Sequence, residues 1–440
     1  MQDYFNKITA VLDQSIQKNE IYTANFSGED SDFVRFNQNK VRQAGHVTQR
    51  YLSVDLIEGK KHVGGSVTLS GDFETDKARV QSMIAGLRDK RQYVPEDPHL
   101  LYSTDKKNTE ANEKSRLPDG ASVVGAIQDA SKGKDLVGIY AAGGIYSGFA
   151  NSIGQRNWYS NYSYNFDWSF YHKADKAVKT AYAGFEWKPD EFSRKVEWAT
   201  EQLDVLQHSP KTIHPGKYRV YLAPAALYDL VSILNWGGFG LKAHKTKTTP
   251  LIKLAEGYEQ LDKRVTLLEN TKGGVSPNFQ EAGFLRPDAV PLIQDGKYKD
   301  CLVSPRSAKE FGVPTNGAST YESANSIDLA GGRLALDRVL KDLDTGIFIN
   351  NLWYLNYSDR SNCRTTGMTR FATFWVENGR IQAPLNVMRF DETIYRVFGQ
   401  NLVDLTAERE MQLDSGSYGR RSTESALLPG ALVNDFTFTL

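Results

Sequence analysis

Neutral imidazoles and thiolates are the side chains that hold zinc while leaving a coordination position for water. The chain has seven histidines, His46, His62, His99, His172, His208, His214 and His244, and no two stand at a local spacing that zinc sites use. Its two cysteines, Cys301 and Cys363, fall on strand-like segments 62 positions apart (363 minus 301), so a metal pair built on them would depend entirely on the fold. Ordinary buried or surface thiols are the simpler reading.

Other chemistries leave equally thin traces. No Gly-x-Ser-x-Gly turn presents a nucleophilic serine, and no Gly-x-x-x-x-Gly-Lys-Ser/Thr loop cradles phosphate. Gly331-Gly332-Arg333 reads as the loop before a short helix over residues 334–343. Paired carboxylates such as Glu408 and Glu410 are plentiful, and nothing in the sequence marks one pair as catalytic. Lys242, His244, Lys245 and Lys247 could meet an anion, but a Lys-rich turn is more often a solvated loop.

The elements that would position such groups follow from periodicity. Residues 221–240, YLAPAALYDLVSILNWGGFG, are the strongest amphipathic helix signal, with Leu222, Ala226, Leu230, Ile233 and Leu234 on one face. Pro224 suits its first turn, and Gly237, Gly238 and Gly240 end it. A short strand, residues 218–222, leads in. Upstream, the spacing predicts helices over residues 1–20, 76–90, 121–132 and 189–208. Alternation in residues 33–36 and 51–57 argues an antiparallel meander. Residues 157–187 alternate aromatic with polar side chains, as a sheet with one wet face would; a stacking platform for single-stranded nucleic acid is the less favoured alternative. Residues 103–118, charged and poor in apolar side chains, read as a surface loop or lid.

Past residue 265 short strands and turns dominate. Residues 294–297 and 377–380 are hairpin turns of the Asp-Gly and Asn-Gly kind, and residues 345–385 alternate well enough to supply several adjacent strands. The fold class is therefore α+β: an N-terminal half of antiparallel strands with flanking helices, and a mostly antiparallel C-terminal half with a few packed helices. At 440 residues two domains are expected, residues 1–210 and 211–440, joined near 209–216.

Composition narrows the setting. Lys plus Arg equals Asp plus Glu at 53 each, so no net charge draws the chain to nucleic acid or anionic membrane. The N-terminus lacks the basic and apolar regions of a secretory signal, and no apolar run approaches the ~20 residues that span a bilayer. A cytoplasmic location is expected.

Four stretches carry a resemblance: SDFVRFNQNKVRQAG (31–45), GFLRPDAVPLIQDGKYKDCLVSPRSAKEFG (283–312), TGIFINNLWYLNYSD (345–359) and TRFATFWVENGRIQAPLNVMRF (369–390). Together they resemble the TldD/TldE family, TldE also being called PmbA, of peptide-maturing proteases once described as modulators of DNA gyrase. The likeness runs over nearly the whole chain in the family's order.

The resemblance implies two closely associated halves and a cytoplasmic heterodimer. In it the TldD partner carries zinc on a helix bearing His-Glu-x-x-x-His, with a further cysteine ligand near the C-terminus. Carried onto this sequence, the two imidazoles would stand at Val231 and Trp236, the general base at Ser232 and the cysteine at Tyr418. None of the four can serve. Between residues 217 and 254 the only histidine is His244 and the only acid is Asp229, so no shift of register makes a His-Glu pair. Tyrosine, with a pKa of about 10, is a poor zinc ligand at neutral pH.

The expectation is a non-catalytic TldE/PmbA-type subunit, with no cofactor of its own and zinc in a TldD-like partner. Together they would mature or degrade unfolded peptides, an extended peptide adding as a strand to a sheet edge. A homodimeric peptide-binding protein without a protease partner, and a peptidase with an unrecognised site, are the alternatives. Neither membrane nor direct nucleic-acid contact is expected.

Overall fold

The alternating residues 33–36 and 51–57 fall within two long antiparallel strands, β1 (Ile21–Asn37) and β2 (Lys40–Glu58). They turn through Gln38 and Asn39, both at positive φ, the twist that a two-residue hairpin needs. The computed structural model describes residues 1–173, 176–417 and 419–439. Its N-terminal sheet is completed by β3 (Lys61–Thr68), β4 (Thr109–Asn112), β5 (Asp135–Asn151), β6 (Arg156–Lys173) and β7 (Lys176–Gly184), in the order β3-β2-β1-β5-β6-β4 with β7 also on β6. All pairs are antiparallel except β4 with β6. The expectation of an unbroken loop over 103–118 is corrected by β4, whose backbone finds partners along β6.

One face of this sheet is apolar and covered. Helices α1 (Gln2–Ser15) and α2 (Phe73–Arg91) pack Phe5, Ile8, Leu12, Val80 and Ile84 on Tyr22, Ala24 and Phe26. Helices α3 (Gly120–Ala130) and α4 (Pro189–Val205) cover the other end, where Ile127 and Phe192 meet Phe36, Phe166 and Trp168. The alternating aromatics of β6 are thus core and offer no stacking platform. The other face carries Asn25, Ser27, Glu29 and Ser31 of β1, with Ser147 of β5 and Asn161, Ser163 and Asn165 of β6 beside them. It is polar as alternation requires, but it faces the second half of the chain and not bulk water.

The second half holds β8 (Gly216–Leu222), β9 (Leu267–Glu269), β10 (Val290–Gln294), β11 (Lys297–Tyr298), β12 (Ser326–Leu329), β13 (Gly346–Asp359), β14 (Arg364–Glu377), β15 (Arg380–Pro384), β16 (Arg389–Thr393), β17 (Leu402–Leu413) and β18 (Ser425–Phe438). Successive pairings of β8, β13, β14, β16 and β18 return to β8 and close a ring. Among the described residues, strands β11, β15 and β17 lie off this ring and each pairs with a single strand. Most pairs are antiparallel, while β8–β13 and β12–β18 are parallel. Val220, Leu222, Ile347, Ile349, Phe390 and Val433 fill its core. Tyr221, Phe348, Phe374 and Leu432 point the other way and join Phe166, Trp168 and Phe192 in one apolar seam between the halves.

The α+β class and its distribution over the halves are as the sequence predicts. Among the described residues, no helix is long and apolar enough to cross a membrane. The cysteines depart from their expected strands: Cys363 sits in the turn before β14 with φ 45°, and Cys301 lies in the loop after β11. Both are buried and free.

Candidate functional site

Helix α5 (Pro224–Ser232) is shorter than its periodicity predicts. Apolar side chains continue past it through a tighter turn, Ile233–Asn235. The chain then doubles back, and Gly238 donates its N–H to Leu234 O at 2.7 Å. A Cβ at Gly238 would stand 2.3 Å from that same oxygen, so the reversal needs glycine. Hydrophobic periodicity reports the buried face and is blind to this change of winding.

The break separates the positions that the resemblance assigns to zinc chemistry. Val231 is 0% exposed in the core, Ser232 is half-buried, and Trp236 is 52% exposed beyond the turn, its ring 6.5 Å from that of Tyr357. An isopropyl group, a hydroxyl and an indole offer no imidazole, thiolate or carboxylate, so these residues do not fit a zinc ion. Tyr418 lies outside the described residues. Among those described, no three His, Cys, Asp or Glu side chains converge as metal ligands would.

The one acid on α5 is Asp229, which accepts the Leu352 N–H at 3.3 Å. Burial pushes its pKa up to about 7, opposed by that N–H and by the nearby charge of Lys179. Burial likewise raises Tyr228, one residue earlier, with Asp414 adding to the effect. Helix α5 therefore lies within electrostatic reach of the loop between β17 and β18.

That loop forms one wall of a cavity of about 630 Å3 between the polar face of the N-terminal sheet and the second half. Glu29, Glu281, Asp414 and Glu424 line it together with Arg286, Arg420 and Arg421. Among the described residues none of these seven charged groups forms an ion pair within 4.0 Å. Arg421 is buried and spends its guanidinium on the sheet, donating to Ser163 O at 2.9 Å, Ser163 Oγ at 2.8 Å and Gly143 O at 3.2 Å. Burial lowers its pKa to about 10. Glu424 is raised by burial and by Asp414. Two further polar groups in the wall lack partners: Oε1 of Glu29, which is 2% exposed, and Nε2 of Gln280, which is 3% exposed. Such a wall, with separated charges and orphaned donors and acceptors, suits a polar ligand that supplies what is missing.

A smaller cavity of about 330 Å3 shares Ser276 with the first. Glu113, Lys114 and Arg116 of the charged segment meet Asn161 of β6 and Lys272 there. The 103–118 segment thus reaches the region between the halves.

Other candidates resolve into structure. His244 turns inward, its Nε2 3.0 Å from Gly238 O, and burial lowers its pKa. Lys247 pairs with Glu256 at 3.0 Å and Lys242 with Glu310 at 3.9 Å. Glu410 pairs with Lys195 at 2.8 Å, whereas Glu408 accepts the Leu336 N–H at 3.0 Å, so the two carboxylates do not share a proton. Burial pushes Cys363 up to about 12, leaving an unreactive thiol. Gly332 packs against β17, where a Cβ would meet Leu405 O at 2.4 Å.

Sequence reasoning missed Glu29, Gln280, Arg286 and Arg421. The resemblance that sets Tyr418 at the cysteine position pointed to the loop that lines the cavity; nothing local marked the strand residues opposite it.

Three comparisons bear on this architecture. A family model described as the PmbA/TldA metallopeptidase C-terminal domain matches residues 215–440. A curated relative, the metalloprotease PmbA of Escherichia coli O157:H7, is 30% identical over 181 residues, a stretch covering 40% of this chain and 38% of that protein. The chain therefore spans well under half the length of the curated relative it matches. Among solved structures, TldE from Thermococcus kodakarensis superposes with a TM-score of 0.77 over 99% of both chains at 14% identity. A Thermotoga maritima protein described in terms of DNA gyrase modulation gives 0.76 over 100% of both chains, also at 14% identity. At such identities the two structures speak to the fold alone.

Proposed function

Because this chain belongs to the PmbA/TldD metallopeptidase family, we propose that it is a non-catalytic TldE/PmbA-type subunit, pairing in the cytoplasm with a zinc-bearing TldD-like chain to mature or degrade unfolded peptides. The observation that carries this reading is helix α5 with the turn after it, where Val231, Ser232 and Trp236 stand at the positions the resemblance assigns to two imidazoles and a carboxylate. In this role residues 1–210 and 211–440 act as two domains, and the cavity between them holds peptide. An extended peptide would add as a strand to a sheet edge through main-chain hydrogen bonds.

The purified chain should carry no stoichiometric zinc and cleave no peptide alone. It should co-purify with a TldD-like chain and raise that chain's peptidase activity. Full zinc occupancy with chelator-sensitive hydrolysis by the isolated protein would overturn the proposal. A stable homodimer with no such partner would favour a peptide-binding protein acting by itself.

A further inference from the structure

The cavity between the halves carries an inference that rests on the reading that this chain holds peptide. Most polar groups in its wall are already committed. Arg286 donates to Gly317 O at 3.2 Å and Asn325 Oδ1 at 3.0 Å, and Arg421 is held by Gly143 and Ser163. Glu281 accepts from the Thr320 N–H at 2.9 Å and its hydroxyl at 2.7 Å. Asp414 uses one oxygen to accept the Gly416 N–H at 2.8 Å.

Among the described residues, the groups left unengaged include the second oxygens of Asp414 and Glu281, the Glu424 carboxylate, Oε1 of Glu29 and Nε2 of Gln280. Asp414 and Glu424 are both exposed residues, at the two ends of the β17–β18 loop, and like charges on one wall are mutually unfavourable until a cation comes between them. Arg420, likewise exposed, forms an ion pair with neither among the described residues. Glu29 Oε1 can only accept and Gln280 Nε2 can only donate, which is what the N–H and C=O of a peptide main chain require.

We infer that the cavity takes a peptide segment carrying a basic side chain, the ammonium or guanidinium set against Asp414 and Glu424, the main-chain amides against Glu29 and Gln280. The volume of about 630 Å3 admits a few residues and no folded domain. Selectivity then comes from charge and not from the shape of an apolar slot.

The test uses the full chain and two short fluorescein-labelled peptides, N-acetylated and C-amidated, identical except for lysine or norleucine at the centre. Fluorescence anisotropy should show the lysine peptide binding about tenfold more tightly. The double substitution Asp414→Asn with Glu424→Gln should abolish the difference and leave norleucine-peptide binding as it was. Arg420→Ala, which removes an exposed cation from the lining, should widen the preference for lysine, and it serves where the double variant does not fold. Equal binding of the two peptides, or a preference unmoved by either variant, would sink the inference while leaving peptide holding intact. If neither peptide binds, both readings fall.

Discussion

The carboxylate of Asp229 accepts the backbone N–H of Leu352 at 3.3 Å, from a helix whose other inward side chains are hydrocarbon. Strand β13 pairs with β8 only from Ile347 to Ile349, so past that point its edge groups need another partner. Helix α5 supplies one.

Asp229 should make stability depend on pH. Its folded pKa, raised by burial from 3.8 to about 7, means that the folded state holds the proton more tightly. Its contribution is full below about pH 4 and is lost as pH rises through about 7. Asp229→Asn keeps an acceptor for Leu352 and should exceed the wild type by up to about 4 kcal/mol at about pH 8, with no gain near about pH 3. Urea unfolding across that range measures it; a variant no more stable at the alkaline end would refute the account.

Glu20 should behave in the opposite sense. It is buried and accepts from Arg88 Nε at 2.8 Å and Arg91 Nη1 at 2.9 Å, tying α2 to the start of β1. The Arg88 hydrogen bond above all depresses its pKa from 4.5 to about 2. Its stabilisation is present above about pH 4.5 and disappears as pH falls through about 2. Glu20→Gln should cost about 3 kcal/mol at neutral pH, because Arg88 loses its counter-charge and Arg91 keeps only Glu58. Thermal unfolding at several pH values would show the wild type and variant converging in acid.

Arg421 fastens the loop between β17 and β18 to the polar face of the N-terminal sheet. Arg421→Ala strands Ser163 O and Gly143 O, and should cost about 2–3 kcal/mol. Arg421→Lys cannot reproduce the forked geometry and should recover less than half of that. Hydrogen exchange should quicken in residues 143–163, and limited proteolysis should cut within 414–424. Unchanged protection in both variants would show the tether to be dispensable.

Gly283 packs against β5 from the second half. Its φ is +85°, and a Cβ would stand 2.6 Å from the Phe149 ring, while its carbonyl accepts from Gln155 Nε2 at 2.8 Å. Gly283→Ala should cost about 2 kcal/mol or more, through strain and clash together. Phe149→Leu in the same chain should return part of it. A double-mutant cycle with no coupling would contradict the contact.

Much of the fold was legible because periodicity reports burial. The α5 stripe, the β1–β2 alternation and the Asn-Gly and Asp-Gly hairpins all appear where their side chains predict. The winding of α5 was not legible: Ile233 and Leu234 continue the apolar pattern, but the close approach of Gly238 to Leu234 O ends the helix at Ser232. Nor could β4 be read, since Thr109–Asn112 has no apolar face and is ordered by its neighbour β6. The cavity was hidden for a different reason. Glu29 and Asp414 are 385 positions apart (414 minus 29), and only the stacking of two sheets brings them to one wall.

The halves are joined unequally, by hydrocarbon along the seam of Phe166, Phe192, Phe348 and Phe374, and by hydrogen bonds and void around the cavity. Water can replace hydrogen bonds at little net cost, but it cannot replace buried rings. Cracks between the two layers should therefore start at the cavity side, with the aromatic seam acting as the spine of a book. Such an opening would wet mostly polar surface, so it would scarcely register in heat capacity although it exposed the whole inner page.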